Sequence, residues 1–365
     1  MKNTFGNSLS VTLFGESHGE VIGAVLDGIA PGIAIDEAYI AHRLALRRPA
    51  GKIATARREG DPFRIVSGVF GGKTTGTPLT VLIPNENTNS KDYSATRALA
   101  RPGHADYTAF CKYHGYEDYR GGGHFSGRVT TGIVAAAGII IPALRKKGII
   151  IGSHISSLGG VFDRAFGDFE EDAEQLYNTQ FPVLDSDSAN KMQSIIESVS
   201  KDGDSIGGVL ETVISGLPAG LGEPFFDSME SMISHAVFSI PAVKGIEFGA
   251  GFNISSMLGS EANDSFVVKG DDIVTKTNNN GGINGGITNG MPLIFRCAVK
   301  PTPSIYKEQN TIDMRNGENT TLQIQGRHDP AIVHRARVVV DSITALTLID
   351  LLCQKYGADK LIEKD

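Results

Sequence analysis

The chain has 365 residues, 41% hydrophobic and 21% charged, a length and balance that suit a buried globular core and exclude a disordered or collagen-like chain. A formal net charge of −7 provides no broad basic face and argues against nucleic acid as a partner. Cys111, Cys297 and Cys353 are widely spaced and odd in number, which excludes a secreted disulfide scaffold and a cysteine-based metal site and fits a reducing cytoplasm.

The start, Met1 to Ser8, lacks the charged head and apolar run of a signal peptide. Leu9 to Phe14 reads as a strand, followed by the turn Gly15-Glu16-Ser17-His18-Gly19. Ile22 to Gly32 (IGAVLDGIAPG) is a second strand-like run closed by Gly and Pro. A helix is predicted from Asp36, its N-cap, with Ile40 and Leu44 on one face. Arg43 and Arg47 stand at i,i+4 on that helix, and Arg48 ends it before Pro49. With Lys52, Arg57 and Arg58 they form either a solvated basic face or a guanidinium set suited to a phosphorylated polycarboxylate.

Gly71 to Leu79 (GGKTTGTPL) leads into further β-rich sequence. His104 lies in Arg101-Pro102-Gly103-His104-Ala105-Asp106-Tyr107, a turn context like that of His18. Each imidazole there serves either as a proton donor to a leaving group or cofactor, or as a structural hydrogen-bonding group. Gly121-Gly122-Gly123-His124-Phe125-Ser126-Gly127-Arg128 is either a tight turn or a backbone cradle for a heterocycle or phosphate, with Arg128 opening a helix whose positive end favours an anion. Ile133 to Leu144, interrupted by Gly138 and Pro142 and followed by Arg145, Lys146 and Lys147, is too short for a convincing membrane span and reads as a buried helix with a basic end.

The second half repeats these signals. Ile206 to Gly220 (IGGVLETVISGLPAG) echoes Ile22 to Gly32, a helix is predicted over Asp227 to Phe238 with Asp227 as its cap, and Gly285 to Leu293 (GGITNGMPL) echoes Gly71 to Leu79. Long helices are expected near Arg128 to Lys147 and Asp341 to Tyr356. One domain over residues 1–365 is therefore expected, with duplicated halves at about 1–150 and 200–356. Neither half has a Rossmann fingerprint or a Walker A loop. The pattern predicts an α+β class whose two sheets face each other, a four-layer helix, sheet, sheet, helix sandwich. Late in the chain, Arg327-His328-Asp329-Pro330 offers an anion donor and a carboxylate that either accepts a proton or stabilises its own turn.

Taken together, these motifs resemble those of chorismate synthase. The resemblance rests on GESHG at Gly15 to Gly19, RPGHADY at Arg101 to Tyr107, RGGG followed by Ser126 and Arg128, and RHDP at Arg327 to Pro330. SGVFGGKTTGTP at Ser67 to Pro78, FFDSMES followed by AVKG, the glycine-rich Asn280 to Gly290 and KPTPS at Lys300 to Ser304 extend it over nearly the whole chain.

The resemblance implies a redox-neutral anti-1,4 elimination in which 5-enolpyruvylshikimate 3-phosphate loses its phosphate and the C6 pro-R hydrogen, with reduced FMN as electron reservoir. It makes His18 an acid near the departing phosphate, His104 a donor controlling the protonation of reduced flavin, and Asp329 a group acting at flavin N5. Arg47, Arg48, Arg128 and Arg327 would orient substrate anions. FMN contacts would come from His124, Phe125 and Ser126, from Ala242, from Gly286, from Lys300, Pro301, Thr302, Pro303 and Ser304, and from Arg327. Three departures stand out: His124-Phe125 where Arg-Ser is usual, Pro241 where Asn is usual, and Lys52 where Arg is often found. No reductase-like module is inserted, so a separate flavin reductase would supply reduced FMN, with NADPH as an indirect electron source. The family also implies a homotetramer, a dimer being the alternative, in the cytoplasm and without a membrane partner. Two other classes compete: an oxidoreductase that leaves a net redox change, and an inactive flavin-binding protein.

Overall fold

The protein is described by a computed structural model over residues 2–49, 60–86, 97–324 and 328–362. Burial patterns decide its layering. Leu79–Pro84 and Leu293–Val299 alternate strictly between buried and half-buried residues, so each sheet has one inward and one outward face. Thr130–Lys146 and Val333–Tyr356 are buried nearly all round. A helix apolar on every side belongs inside, and a strand apolar on one side belongs at the border of the core.

The first sheet is antiparallel, in the order Thr4–Phe5, Ser10–Phe14, Val21–Asp27, Leu79–Pro84, Arg64–Ser67. The second, also antiparallel, runs Val243–Phe248, Leu293–Val299, Gly208–Ser215, Ile150–Leu158, Val161–Phe162. Helix Thr130–Lys146 packs on Val21–Asp27 and Leu79–Pro84, Val333–Tyr356 packs on Ile150–Leu158 and Gly208–Ser215, and these two helices pack on each other. Glu37–Arg47 and Met229–Val237 pack against this central pair. The α+β class is as expected, but the layer order is corrected to sheet, helix, helix, sheet. The physical reason lies in the helices: Ile133 to Leu144 has no polar face to turn toward water, so it cannot form an outer layer.

The two sheets share a chain path. A central strand (Val21–Asp27 or Gly208–Ser215) is followed by a helix (Glu37–Arg47 or Met229–Val237), an outer strand (Arg64–Ser67 or Val243–Phe248), a short hairpin, preceded in the second half by an added hairpin of Phe266–Lys269 with Asp272–Thr275, and a strand between the two (Leu79–Pro84 or Leu293–Val299). The short hairpins, Val69–Phe70 with Lys73–Thr74 and Ile283–Asn284 with Ile287–Thr288, fall on the two matching glycine segments. The second sheet also takes in Ile150–Leu158, ahead of residue 200, with helices Phe169–Tyr177 and Ser186–Lys201 intervening before its central strand.

Local chemistry fixes the helix ends that matter. Asp36 accepts from the Tyr39 backbone N–H at 2.9 Å, as expected of an N-cap. Asp227 does not cap its helix. It sits in the 3-10 turn Phe225–Asp227, and Ser228 Oγ accepts from Ser231 N at 3.1 Å instead. The late helix starts at Val333 rather than near Asp341. The Gly127–Lys146 stretch is long and apolar enough to cross a membrane, yet 89% of its most apolar window is buried inside the protein. It approaches the first sheet so closely that a Cβ on Gly132 would lie 2.8 Å from the Gly23 carbonyl oxygen. Burial of each large side chain such as Ile40, Leu44 or Ile140 contributes roughly 1.5–3 kcal/mol. The chain ends are tied by Asp350, whose carboxylate accepts from the backbone N–H groups of Asn7, Ser8 and Leu9 at 2.7 to 3.1 Å.

Candidate active site

At the end of the first sheet, the turn carrying His18 meets the glycine-rich loop. Ser17 N donates to Gly123 O at 3.0 Å, and His124 Nδ1 donates to Gly15 O at 2.8 Å. A carbonyl only accepts, so this bond fixes the His124 proton on Nδ1. Gly121 and Gly122 have positive φ of 59° and 84°. Their missing side chains make room for two imidazoles. A Cβ on Gly121 would lie 2.3 Å from His18 Cε1 and 2.4 Å from its Nδ1, and one on Gly122 would lie 3.0 Å from His104 Cε1 and 3.3 Å from its Nε2. His18 and His104, 86 positions apart in sequence (104 − 18), therefore rest on consecutive glycines.

The His104 turn is braced from within. Arg101 grips Asp106 through two contacts of 2.7 Å, and His104 Nδ1 lies 2.9 Å from Asp106 Oδ1. Burial raises the Asp106 carboxyl, but hydrogen bonds from Arg101 and His104 outweigh it and hold that group well below the usual carboxylate range. An ionised carboxylate can only accept, so Nδ1 of His104 carries a proton and Nε2 is the nitrogen facing the glycine loop. Arg101 Nη2 also lies 3.1 Å from His104 Nδ1, but two donors make no bond, and its proton goes to Asp106.

The arginines form the adjoining wall. Arg47, Arg48 and Arg128 surround Asp61, which is 2% exposed and has a φ of 44°. Arg128 makes the close contact, with Arg48 Nε at 3.5 Å and Arg47 Nη2 at 4.0 Å. Three guanidinium groups on one carboxylate leave the wall strongly positive. Asn85 joins this wall to the histidine turn: its amide donates to Glu16 O and Gly19 O at 3.0 and 2.9 Å, and its oxygen accepts from Arg128 Nε at 3.0 Å. Arg43, one turn before Arg47, does not join them. It pairs with Asp341 inside the core at 2.9 Å.

The second half meets the His104 turn. Lys300 Nζ donates to Gly103 O, beside His104, and Pro303 packs on the same glycine. Lys300 N donates to Ala242 O at 2.9 Å, which places Ala242 at this end of the second sheet, and Ala242 after Pro241 has a φ of 76°. Thr302 O accepts from Ser205 Oγ at 2.6 Å, and Ser304 is buried. Asp329 is paired with Arg335, whose Nε donates to Arg47 O at 2.7 Å. Burial and then the Arg101 charge push the His328 imidazole below its usual range. Ser126 accepts from Arg128 N at 3.2 Å, and Phe125 meets the Tyr113 ring edge-on at 6.0 Å.

Not every expected residue gathers here. Gly286 lies in the hairpin before Leu293–Val299, whereas Lys300 follows that strand, and seven residues of strand separate them, roughly 23 Å. Its carbonyl accepts from Met229 N at 2.8 Å, and a Cβ would collide with Glu223 O and Ser228 Cβ at 2.7 Å. Arg327, Lys52, Arg57 and Arg58 lie outside the described residues. Sequence reasoning missed Asp61, Asn85 and Arg335. Arg335 follows Asp329 by six positions, but its place near the start of a helix shows only in the structure.

A family profile described as chorismate synthase matches residues 9–353 of the chain. A protein named chorismate synthase from Pyrococcus abyssi is 45% identical over 348 residues, covering 95% of this chain and 96% of its own length. One of the same name from Lachnoclostridium phytofermentans is 46% identical over 353 residues, covering 96% of this chain and 95% of its own. A solved structure titled as the crystal structure of chorismate synthase superposes with a TM-score of 0.77 at 29% identity, covering 97% of this chain and 94% of that one.

Proposed function

This chain belongs to the chorismate synthase family of chorismate-forming lyases in the shikimate pathway, and we propose that its arginine and histidine cleft eliminates phosphate from 5-enolpyruvylshikimate 3-phosphate by the anti-1,4 route. The observation that carries this reading is the seating of His18 and His104 on Gly121 and Gly122, next to the wall of Arg47, Arg48 and Arg128. A phosphate and two carboxylates need several guanidinium groups, and a leaving phosphate needs a proton donor. Both needs are met within one cleft.

In this reading Arg47, Arg48 and Arg128 exchange Asp61 for substrate anions, with Arg327 as a further donor. His18 gives a proton to the departing phosphate oxygen. His104, its Nδ1 fixed on ionised Asp106, presents Nε2 to the cofactor. Asp329, held by Arg335, would supply the proton-accepting carboxylate for flavin N5.

The residues present fit a reduced flavin. Thr302 Oγ1 and His328 Nε2 are buried and have no hydrogen-bond partner among the described residues, which suits the polar edge of a heterocycle. Lys300 to Ser304, Ala242, His124, Phe125 and Ser126 would hold FMN around that edge. Gly286, at the far end of its strand, stands apart from this set, and a homotetramer or dimer is proposed from the family alone. When bound, reduced FMN supplies reversible electron donation and regains its electrons in the same turnover. A separate reductase drawing on NADPH would deliver it in the cytoplasm. The shared path of the two sheets supports a single domain of duplicated halves, with Ile150–Leu158 belonging to the second. An anaerobic assay with reduced FMN and 5-enolpyruvylshikimate 3-phosphate tests the activity: chorismate absorbance and inorganic phosphate are expected in equal amounts, and stoichiometric flavin oxidation would overturn it.

A further inference from the structure

Away from the cleft, between helix Glu37–Arg47, the inner face of the second sheet and helix Val333–Tyr356, lies a cavity of about 20 Å³ lined by Tyr39, Arg43, Ser153, Tyr177, Arg337 and Asp341 together with apolar side chains. Arg43, Arg337 and Asp341 are 4%, 3% and 2% exposed. Asp341 receives Arg43 Nη2 at 2.9 Å, Ser153 Oγ at 2.6 Å and, more loosely, Arg337 Nη1 at 3.6 Å. Arg337 Nη2 donates to the carbonyls of Leu176 and Thr179 at 3.2 and 2.7 Å. The Nε of Arg43 and the Nε of Arg337 are buried and bond to no protein atom.

Two guanidinium groups against one carboxylate leave one positive charge in excess in the interior, where an uncompensated charge is costly. The remaining neighbours do not cancel it. Tyr39 stays neutral, since burial raises its hydroxyl, and Arg145 at the cavity edge is half exposed and near Glu174 at 3.7 Å. Burial, and behind it the repulsion of Arg43, push Arg337 down to about 10 despite Asp341. The volume admits one water-sized particle, and the lining combines cationic N–H donors, tyrosines and aliphatic carbons.

We infer that this cavity binds a single halide ion, chloride under ordinary conditions, coordinated by the Arg43 and Arg337 guanidinium groups. The ion neutralises the cluster and gives the two Nε–H groups an acceptor. Its site lies in the core, does not touch the proposed substrate, and does not depend on the reaction assigned to the cleft.

The test compares thermal unfolding of the whole protein in sodium chloride, sodium bromide and sodium gluconate at one ionic strength. Chloride and bromide are expected to raise the midpoint, increasingly with the logarithm of concentration above saturation, while gluconate, too large for the cavity, does not. Arg337→Met removes the excess charge and is expected to abolish the halide-specific shift. Crystals grown in bromide should show an anomalous peak between the two Nε atoms, a readout that needs no variant and stands even if Arg337→Met fails to fold. Equal midpoints in all three salts, density for water alone, or a bromide peak without any halide-specific shift, meaning an adventitious ion only, would each overturn the inference.

Discussion

Helix Glu37–Arg47 feeds two arginine clusters that use the same chemistry to opposite ends. Arg43 faces inward and joins Arg337 on Asp341, where Ser153 also holds the carboxylate. Arg47, one turn later, joins Arg48 and Arg128 on Asp61. Asp341 is carried on a long buried helix, whereas Asp61 is carried on a loop next to Pro62 with a φ of 44°. One carboxylate is built into the core. The other is held on a loop among three guanidinium groups, and is proposed to give way to substrate anions. A single helical turn thus separates a structural guanidinium from one proposed to bind substrate, and their identity as arginines says nothing about which is which.

The largest effect should come from breaking the cleft alone. His18→Ala is expected to slow single-turnover phosphate release by about 10² to 10⁴-fold, while the urea midpoint changes far less than the rate. An unchanged rate at saturating reduced FMN and substrate would remove His18 from the mechanism.

Breaking the core cluster should do the reverse. Asp341→Ala strands two buried guanidinium groups and is expected to cost about 3–5 kcal/mol in urea unfolding, with turnover per folded molecule close to wild type. Loss of turnover without loss of stability would mean that the two clusters are coupled.

Gly121→Ala tests the boundary between them. Its Cβ would fall 2.3 Å from the His18 ring at a φ of 59°, so backbone strain of about 1–3 kcal/mol is expected, together with displacement of the imidazole. The rate should fall while binding of substrate to the arginine wall, measured by titration, is largely kept.

The smallest effect belongs to a third buried cluster, on the second sheet. His154 sits between Asp163 at 2.6 Å and Glu211 at 3.4 Å, with Arg296 joining Glu211 to Glu247. Burial lowers the His154 imidazole, but the hydrogen bonds to the two carboxylates outweigh it and the net change is upward. A histidine raised in this way contributes stability that is complete below its unfolded value of about 6.5 and is lost as pH rises through the folded value. The urea midpoint should therefore decline as pH rises from about 6.5 in wild type and stay flatter in His154→Gln.

What could be read in advance follows the same division between local and distant. His18, His104 and Arg128 lie in short motifs whose glycines and turn residues announce a special backbone, so they could be singled out as candidates from local sequence alone. The α+β class and the matched strand, helix and hairpin segments were visible too, because each is a local pattern. Asp61 and Asn85 were not, because their role consists of contacts to residues tens of positions away. The layer order failed for another reason: alternation along a strand shows that one face is buried, not which neighbour buries it, and the all-round apolar character of Ile133 to Leu144 was the better guide to what lies inside. Gly286 belongs to the second of the two matching glycine segments, and the strand between it and Lys300 puts it at the far end of the sheet.

The clamp of Asp350 on the backbone of Asn7, Ser8 and Leu9 has a consequence for the order of events during synthesis. The first strands are made early, but the carboxylate that ties down their leading edge arrives more than 340 residues later (350 − 7 = 343), on the same helix that covers the apolar side of Thr130–Lys146. Until Val333–Tyr356 has left the ribosome, that earlier helix has no partner for one whole face. Contacts of such sequence separation slow folding, and a nascent chain in this position is a client for chaperones that recognise exposed aliphatic surface. A ribosome-stalled chain ending before residue 333 should therefore be captured by such a chaperone, and extension past Tyr356 should release it.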